Sequence, residues 1–455
     1  MTNFTKKIRD DFMNYKVGMI SLGCPKNQVD AEHMLALLDA EGMEIVDYVD
    51  GCDVVIVNTC GFIDDAKKEA IENILDMAEL KKEGVIGRII VTGCLAQRYQ
   101  SEILTEIPEV DAVLGIGANG DIIKIIEDVM TGVDTIEKYP PQQELPLEGQ
   151  RILTTPEHWA YLKIGEGCSN RCTYCTIPSI RGDMRSRPME NILEEAKQLA
   201  EAGVKELILV AQDTTSYGLD IYGELRLPQL LDELCKIDSI EWIRMLYCYP
   251  DRITDELIAT MKNQEKVVNY IDLPLQHADD KILKAMNRRG DQAMIREVIG
   301  KLRAAMPDVV IRTTFIVGFP GEGEDEFETL AEFVNEMEFD RLGVFTFSPQ
   351  EGTVAYDMEN QVDDDVKTRR GEIIMQDQYS IMEEKNNAKI DNEYKVIVEE
   401  YDSYTDSYIG RTYMDAPEID GLVKFTSPKE LEIGDFVYVD IFDVDGYDLI
   451  GEVFE

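Results

Sequence analysis

Three cysteines lie within eight residues near the middle of the chain, where residues 168–175 read CSNRCTYC. Thiolates are soft ligands, and a cysteine-only triplet favours an iron–sulfur cluster or zinc. A four-iron cubane bound by Cys168, Cys172 and Cys175 has one iron without a protein ligand, and this iron can chelate the amino and carboxylate groups of a small molecule. Zinc would need a fourth ligand, which the neighbouring sequence does not offer. We therefore predict a reactive iron–sulfur cluster, with zinc or three unrelated buried cysteines as the alternatives.

Three further cysteines, Cys24, Cys60 and Cys94, are scattered in sequence but share one kind of position. Each follows a short apolar run, in ISLGC, IVNTC and VTGC. The carboxyl ends of parallel strands lie along one edge of a sheet, so thiols at equivalent strand ends can converge. The sequence thus predicts a second three-thiolate cluster, against the alternative of buried structural cysteines. We assign that structural role to the remaining cysteines, which are Cys52, Cys235 and Cys248.

The segments that must position these cysteines alternate between β and α patterns. Residues 17–131 contain short β-branched runs separated by amphipathic stretches, which predicts an α/β domain with a parallel sheet. A second alternation over about 159–350 has six β/α units, which predicts an open, partial barrel with CSNRCTYC at its carboxyl-terminal mouth. Segment 362–390 is typical of one long polar helix. The β-rich residues that follow indicate a small antiparallel barrel.

The amino-acid composition argues against several classes of protein. The chain has 455 residues, of which 44% are hydrophobic and 30% charged, as expected for a globular protein of two or three domains. Nine cysteines in this length do not suggest a disulfide scaffold, and three histidines argue against zinc-hydrolase or Ser-His-Asp chemistry. The N-terminal MTNFTKKIRDDF lacks the features of a secretory signal, and no apolar run has membrane-spanning length. We expect a cytoplasmic protein that does not enter a membrane.

The cysteine triplet after the first barrel strand resembles the hallmark of the radical S-adenosylmethionine (SAM) superfamily. The resemblance implies that the reduced cluster cleaves SAM into methionine and a 5′-deoxyadenosyl radical, which abstracts an unactivated hydrogen. It also implies SAM contacts at the strand ends of the barrel mouth, and our candidates there are Gln212, Asp213, Thr214 and Gln276. Further candidates are Thr215, Gly318 and, as carboxylate ligands, Arg181, Arg185 and Arg187. We expect no catalytic residue beyond the cluster ligands.

A three-cysteine α/β domain, a CxxxCxxC barrel and a terminal β-barrel, in this order, resemble the methylthiotransferase family along nearly the whole chain. In that family the terminal barrel is a TRAM domain, and both clusters are of the 4Fe-4S type. SAM is both radical source and methyl donor, and sulfur is delivered at the N-terminal cluster, here at Cys24, Cys60 and Cys94. We expect a methylthiotransferase domain at 15–135, a linker at 136–158, a radical SAM domain at 159–385 and a TRAM domain at 386–455.

One branch of this family modifies an adenosine of transfer RNA, and the other modifies the β-carbon of an aspartate in small ribosomal subunit protein S-12. SLGCPKNQVD, CSNRCTYCTIPSIRG and YIDLPLQHADDKILKAMNRRG resemble the second branch. Pro25 and Lys26 stand where the transfer-RNA branch typically has Gln-Met. The resemblance thus implies methylthiolation of S-12 with an electron donor protein as a second partner. Transfer-RNA adenosine methylthiolation is the alternative.

The charge of the chain favours the same branch. The formal net charge is −45, and residues 386–455 contain 18 acidic and 5 basic residues. A barrel that binds RNA needs a cationic surface, whereas an acidic barrel suits a basic ribosomal protein. We therefore do not expect nucleic-acid binding to dominate, although acidity that serves solubility is an alternative explanation. A non-catalytic zinc-binding or redox scaffold is the remaining hypothesis from another function class.

Overall fold

The computed structural model describes residues 15–133 and 135–454, in three sheet-based units that follow one another along the chain. The prediction about a secretory signal in residues 1–12 lies outside the described residues. Within the described ranges, no helix has both the length and the apolar character required to cross a bilayer.

The N-terminal unit is a six-stranded parallel sheet with helices on its faces. Its strands are β1 Lys16–Ser21, β2 Glu44–Val46, β3 Val54–Thr59, β4 Arg88–Gly93, β5 Ala112–Leu114 and β6 Ile136–Lys138. Its helices are α1 Pro25–Ala40, α2 Asp64–Lys82, α3 Cys94–Tyr99, α4 Ser101–Glu106 and α5 Ile122–Met130. The strand order is β2-β1-β3-β4-β5-β6, and β3, with sequence VVIVNT, is buried along its whole length. Strands β1, β3 and β4 are therefore neighbours, and their carboxyl ends lie side by side.

This sheet extends three residues into the predicted linker. Residues Ile136–Lys138 pair in parallel with β5 as an edge strand. The sequence pattern did not show this strand because an edge strand is paired on one side only and needs no continuous apolar run. The sheet thus ends at Lys138, whereas the prediction ended the domain at residue 135.

The central unit is an open parallel sheet of six strands in the order β14-β13-β12-β11-β10-β7. These strands are β7 Trp159–Lys163, β10 Glu206–Val210, β11 Trp242–Met245, β12 Val267–Gln276, β13 Val310–Val317 and β14 Arg341–Thr346. The helices are α6 Ile177–Arg181, α7 Met189–Glu201, α8 Leu227–Leu234, α9 Asp255–Asn263, α10 Asp280–Ala285, α11 Gln292–Ala305, α12 Glu324–Met337 and α13 Asp364–Asn387. Sequential strand order with intervening helices is the predicted partial (β/α)6 barrel. Helix α13 matches the predicted long polar helix.

A short antiparallel pair frames the cysteine triplet. Strands β8 Gly165–Glu166 and β9 Arg185–Ser186 pair with each other, so residues 167–184 form a closed loop at the end of β7. This loop lies at the carboxyl-terminal mouth of the barrel, where β/α barrels place their reactive groups.

The C-terminal unit is a closed five-stranded barrel. Its strands are β15 Glu393–Asp402, β16 Ser407–Thr412, β17 Val423–Thr426, β18 Phe436–Asp445 and β19 Asp448–Glu452. The predicted small barrel is confirmed: four of its five strand pairs are antiparallel, and β17 and β19 pair in parallel to close the ring. Closure leaves no free edge strand, and strand direction at the closing pair cannot be deduced from alternation alone.

The end of β16 and the segment between β16 and β17 contact strands of the central partial barrel. Arg411 forms an ion pair with Glu206 of β10 at 2.7 Å. Asp420 accepts a hydrogen bond from the Tyr270 hydroxyl of β12 at 2.7 Å. Through these and neighbouring contacts the C-terminal barrel covers one end of the central unit, while the strand ends at the opposite mouth face the N-terminal unit.

Candidate metal centres

The barrel triplet lies on one turn of the loop between β8 and α6. Cys168 and Cys172 are buried and Cys175 is partly buried. The Cys175 N–H donates to the Cys172 carbonyl at 3.1 Å, and the Cys168 N–H donates to the Gly182 carbonyl at 3.0 Å. Arg171 adopts a left-handed φ of 56°, which reverses the chain between the first two cysteines. The three thiols therefore belong to one short segment, which is held in place by hydrogen bonds that join Thr173 and Arg171 to residues 285–287.

Polar groups face two of these sulfur atoms. The Asn170 Nδ2 lies 3.5 Å from Cys168 Sγ, and the Tyr249 hydroxyl lies 3.5 Å from Cys172 Sγ. Burial raises the pKa of the Cys168 thiol to about 11. Burial and then the neighbouring Cys172 raise the pKa of Cys175. Metal ligation requires thiolates, so a bound metal is the agent that would hold these buried thiols ionised.

The N-terminal cysteines lie at three adjacent strand ends. Cys24 caps α1, Cys60 follows β3 directly, and Cys94 is the first residue of α3. Two glycines allow these turns to approach one another closely. A Cβ atom at Gly23 would lie only 2.6 Å from the Cys60 Cβ, and a Cβ atom at Gly61 would lie only 2.8 Å from backbone atoms of Leu95. The structure thus brings together the turns that the sheet-edge argument predicted.

The three thiols interact electrostatically with one another and with nearby cations. Burial would raise the pKa of Cys24, but the charges of Lys26 and Arg181 outweigh it and lower that pKa below its ordinary value. Burial raises the pKa of Cys60, and the charge of Cys24 raises it further. Burial likewise raises the pKa of Cys94 to about 12, although the charge of Arg181 acts to lower it. The helix N-terminus at Cys24 also favours a thiolate there.

Arg181 connects the two sets of cysteines. It ends α6, six residues after Cys175, and its side chain is buried. Its Nη2 and Nε lie 3.3 Å and 3.4 Å from Cys94 Sγ. Its Nη1 pairs with Asp30 at 2.7 Å and with Glu166 at 3.0 Å. An arginine from the barrel loop therefore donates to a sulfur of the N-terminal set, and the two sets share one buried charge network.

Glu166 anchors this network on the barrel side. It precedes Cys168 by two residues and pairs with buried Lys163 as well as with Arg181. Although burial would raise the pKa of Glu166, the charges of Arg181 and Lys163 lower it to about 2. The carboxylate therefore stays ionised, and its other oxygen accepts a hydrogen bond from Gln212 Nε2 at 2.5 Å.

The predicted SAM contacts lie in different environments. Gln212 has a buried Oε1 without a hydrogen-bond partner among the described residues, so it can accept from an amino group. Asp213 accepts from Asn170 at 2.7 Å and pairs with Arg252, beside Cys168. The Thr214 hydroxyl points away to the Leu246 carbonyl at 2.5 Å. Gln276 lies at the end of β12 with a left-handed φ of 73°.

The remaining sequence candidates have partners inside the protein. Arg187 pairs with Glu148 and Glu195 at 2.5 Å and 2.6 Å, and Arg185 donates to backbone carbonyls of Gln142 and Gln143. The Thr215 hydroxyl donates to Asp213, and the Gly318 N–H donates to Glu322. These arginines therefore hold the loop and the segment before β7 in place.

Sequence reasoning missed two cations that lie over tyrosine rings. The Lys26 Nζ is 3.2 Å from the centroid of Tyr247, and the Arg288 guanidinium carbon is 4.1 Å from that of Tyr249. An Nη1 of Arg288 also lies 4.0 Å from Cys172 Sγ. The signal was present in LYCYP, where two tyrosines separated by one residue follow a barrel strand and can face the same mouth.

The spacing of the thiols differs from that of a single-ion site. In residues 15–133 and 135–454, no group of three or more His, Cys, Asp or Glu side chains is arranged to hold one metal ion. A zinc ion would need its thiolate ligands about 2.3 Å from one point. A cubane binds each thiolate at a different corner, so it does not require three sulfur atoms to meet at one point.

Known proteins match the chain in all three units. Family models match at 16–115 (uncharacterized protein family UPF0004), 162–334 (radical SAM superfamily) and 390–454 (TRAM domain). The ribosomal protein uS12 methylthiotransferase RimO of Thermoanaerobacter sp. (strain X514) is 52% identical over 96% of this chain and 99% of its own. The protein of the same name from Clostridioides difficile (strain 630) is 49% identical over 96% and 98%. The chain belongs to the ribosomal protein uS12 methylthiotransferase family.

The solved structures support the fold of this methylthiotransferase family member. The radical SAM methyltransferase TsrM from Kitasatospora setae, solved with cobalamin and a 4Fe-4S cluster bound, matches with a TM-score of 0.56. The match has 12% sequence identity and covers 76% of this chain and 77% of that one. At this identity the likeness concerns the fold alone. The family and the fold class predicted from the sequence are thus confirmed, while the individual ligand residues stay predictions.

Proposed function

We propose that this chain is a radical SAM methylthiotransferase that modifies the β-carbon of an aspartate in ribosomal protein S-12, in the cytoplasm. The observation that carries the proposal is the pair of three-cysteine sites joined by Arg181 and Glu166. Cys94 of one site and the loop of the other contact the same buried arginine. The two sites thus border one buried charge network, as expected if a single substrate reacts with groups held at both.

The first site would activate SAM. Cys168, Cys172 and Cys175 would hold a 4Fe-4S cluster, which when bound and reduced supplies the radical cleavage of SAM. Gln212 would accept a hydrogen bond from the SAM amino group through its unpartnered Oε1, and Glu166 fixes the amide in that orientation through its bond to Nε2. Because the Gln212 amide is already held in this orientation, SAM binding would cost little further conformational entropy at this side chain.

The second site would deliver sulfur. Cys24, Cys60 and Cys94 would hold the other cluster, and Arg181 donates hydrogen bonds toward one of its thiolates. Hydrogen bonds to cluster sulfurs and burial are the means by which proteins set cluster potentials. Reduction of the first site requires electrons from outside the chain, so we propose an electron donor protein as a further partner.

The surface of the C-terminal barrel favours a protein substrate over transfer RNA. Four of the five basic residues in 386–455 have intramolecular acceptors, because Arg411 pairs with Glu206, Lys395 with Glu241, Lys424 with Asp448, and Lys389 donates to Asn386. Burial also lowers the pKa of Lys389 to about 8. Of the 18 acidic residues of this segment, Asp415 and Asp420 have buried side chains, but the others outnumber its basic residues, so its exposed charge is negative. Such a surface repels phosphates and attracts a basic protein.

The decisive experiment compares the two substrates directly. The anaerobically reconstituted enzyme is incubated with SAM, a reductant and either ribosomal protein S-12 or transfer RNA, and the products are weighed by mass spectrometry. Methylthiolation adds a unit of roughly 46 Da. We expect this gain on the ribosomal protein, at its aspartate, and none on transfer RNA. A gain on transfer RNA alone would establish the alternative function, and a gain on neither would refute both.

A further inference from the structure

Lys26 is a buried cation without a carboxylate partner. It lies in the first turn of α1, and only 5% of the residue is exposed. Its Nζ lies over the ring of Tyr247, 3.2 Å from the centroid. Within the described ranges 15–133 and 135–454, no carboxylate oxygen lies within ion-pair distance of this ammonium group. Its favourable electrostatic partners within the described chain are the Tyr247 side chain and the Cys24 thiol. Burying an ammonium group without a carboxylate partner is unfavourable, so an anion from outside the chain would stabilise this arrangement.

Some buried cations nearby have carboxylate partners, whereas Arg288, like Lys26, has none among the described residues and lies over a tyrosine ring. Lys163 pairs with both Asp30 and Glu166, and buried Arg252 pairs with Asp213. The chain contains 90 acidic residues against 45 basic ones, so acidic partners are abundant. In the part of the chain that the structure describes, the absence of a carboxylate partner therefore distinguishes Lys26, together with Arg288, from the paired cations around them.

Lys26 lies between the two cysteine sites. It is two residues from Cys24, and its aromatic partner Tyr247 belongs to the segment that follows β11 at the barrel mouth. Two residues further on, the hydroxyl of Tyr249 lies 3.5 Å from Cys172 Sγ. A substrate side chain that reacts with groups held at both sites must come close to this ammonium group.

The tyrosine under Lys26 is held rigidly. Tyr247 has a left-handed φ of 61°, which is unusual for an aromatic residue and indicates that its surroundings fix it. Its N–H donates to Asp272 Oδ2 at 2.8 Å, and its carbonyl accepts from the Thr214 N–H at 3.0 Å. The ammonium group therefore has a defined position before any ligand arrives.

Against the effect of burial, the charge of Lys26 also favours the Cys24 thiolate, whose pKa it lowers, but this effect does not use the donor hydrogens of the ammonium group. Arg181 already donates to Cys94 Sγ at 3.3 Å. The Lys26 Nζ makes no hydrogen bond to a cysteine sulfur in the described part of the chain and lies instead against a tyrosine of the barrel. Its three donor hydrogens suit the two oxygens of a carboxylate.

We propose that Lys26 binds the carboxylate of the substrate aspartate and thereby selects aspartate over asparagine at the modified position. This inference rests on the proposed function and names the residue that determines the specificity of that reaction. Lys26 acts by positioning: it holds the side chain so that the β-carbon lies between the two cysteine sites.

The test uses two peptides that carry the target loop of ribosomal protein S-12, identical except for aspartate or asparagine at the modified position. Their dissociation constants are measured by fluorescence anisotropy on the reconstituted holoenzyme with SAM. The wild type is expected to bind the aspartate peptide about tenfold more tightly, as one charge-assisted hydrogen-bonded contact allows. Lys26→Met is expected to bind both peptides equally, and Lys26→Arg to keep most of the preference.

A matched control is Lys395→Met, which removes another lysine that lies over an aromatic ring, 4.5 Å from the Phe436 centroid and remote from both cysteine sites. It is expected to keep the tenfold preference. An unchanged preference in Lys26→Met would overturn the proposal, as would a loss of SAM affinity or of one cluster's iron in place of the peptide effect. If the wild type methylthiolates S-12 yet binds both peptides equally, the proposal fails while the proposed function stands.

Discussion

The two cysteine sites reach similar chemistry by opposite routes. The barrel site is local: Cys168, Cys172 and Cys175 lie on one loop framed by β8 and β9. The N-terminal site is assembled from Cys24, Cys60 and Cys94, at the ends of three strands that become neighbours only in the folded sheet. A local site keeps its geometry as long as its loop stays folded. An assembled site keeps its geometry only while the whole sheet is folded and stays in contact with the barrel.

The two sites also differ in how charge reaches the sulfur atoms. At the N-terminal site Arg181 donates directly to Cys94, and the pKa of Cys24 is lowered by its cationic neighbours against the effect of burial. At the barrel site Arg288 lies 4.0 Å from Cys172 Sγ, and burial dominates to raise the pKa of Cys168 to about 11. A more cationic environment stabilises a more reduced, more negative cluster. This difference in cationic surroundings would give the two clusters different reduction potentials, as expected if they have separate roles.

The largest expected effect separates the two sites by cysteine replacement. Cys172→Ala should abolish SAM cleavage, because it would remove a proposed ligand of the cluster that we expect to bind SAM. Cys60→Ala should keep SAM cleavage and lose sulfur insertion. Each variant should keep about half of the iron after reconstitution. Deoxyadenosine formation and the mass of ribosomal protein S-12 are measured on both, and methylthiolation by Cys60→Ala would disprove the assignment of the N-terminal site.

The next effect tests the connection between the sites. Arg181→Met leaves Asp30 and Glu166 buried with less compensation, so the free energy of unfolding should fall by about 4 kcal/mol. Arg185→Met is the control, because its guanidinium donates only to backbone carbonyls in the structure, and we expect a loss of about 1 kcal/mol. Urea denaturation followed by circular dichroism measures both. Equal losses would show that Arg181 is not the central link.

Acid should weaken the N-terminal unit through His33 on α1. Burial, followed by the charges of Lys163 and Arg151, lowers the pKa of His33 from 6.5 to about 4. The unfolded chain thus takes up a proton between these pH values that the folded chain does not, and stability falls as pH decreases through this window. The loss should reach about 3 kcal/mol near pH 4. His33→Asn should remove this part of the pH dependence in urea titrations at pH 7, 5.5 and 4.5, and an unchanged slope would contradict the assignment.

The smallest effect concerns the cation at the barrel site. Arg288→Met should slow SAM cleavage about tenfold, a loss typical for a residue that acts on a metal site through its ligands. The neighbouring Arg289 is exposed and has only a weak 3.8 Å contact with Asp251, so Arg289→Met is a matched control with little expected change. The rate of deoxyadenosine formation measures both variants, and a similar rate for the two would refute a role for Arg288.

The same contrast explains what the sequence could reveal. Cys168, Cys172 and Cys175 were recognisable because their spacing is local, and Cys24, Cys60 and Cys94 because parallel strands share an edge. Lys26 over Tyr247 and Arg181 beside Cys94 could not be foreseen, since each contact joins different units of the chain. The edge strand Ile136–Lys138 and the parallel closure of the C-terminal barrel were missed because pairing partners determine them, and local hydrophobic patterns do not.

The most direct test of two separate cluster sites is the iron and acid-labile sulfide content of the anaerobically reconstituted chain, with Mössbauer spectroscopy to identify the cluster type. We predict about eight irons and eight sulfides per chain, all in 4Fe-4S clusters. The values should fall to about four each when Cys24, Cys60 and Cys94 are replaced together by alanine. A wild-type content of about four irons, or zinc in place of iron at the N-terminal site, would contradict the account.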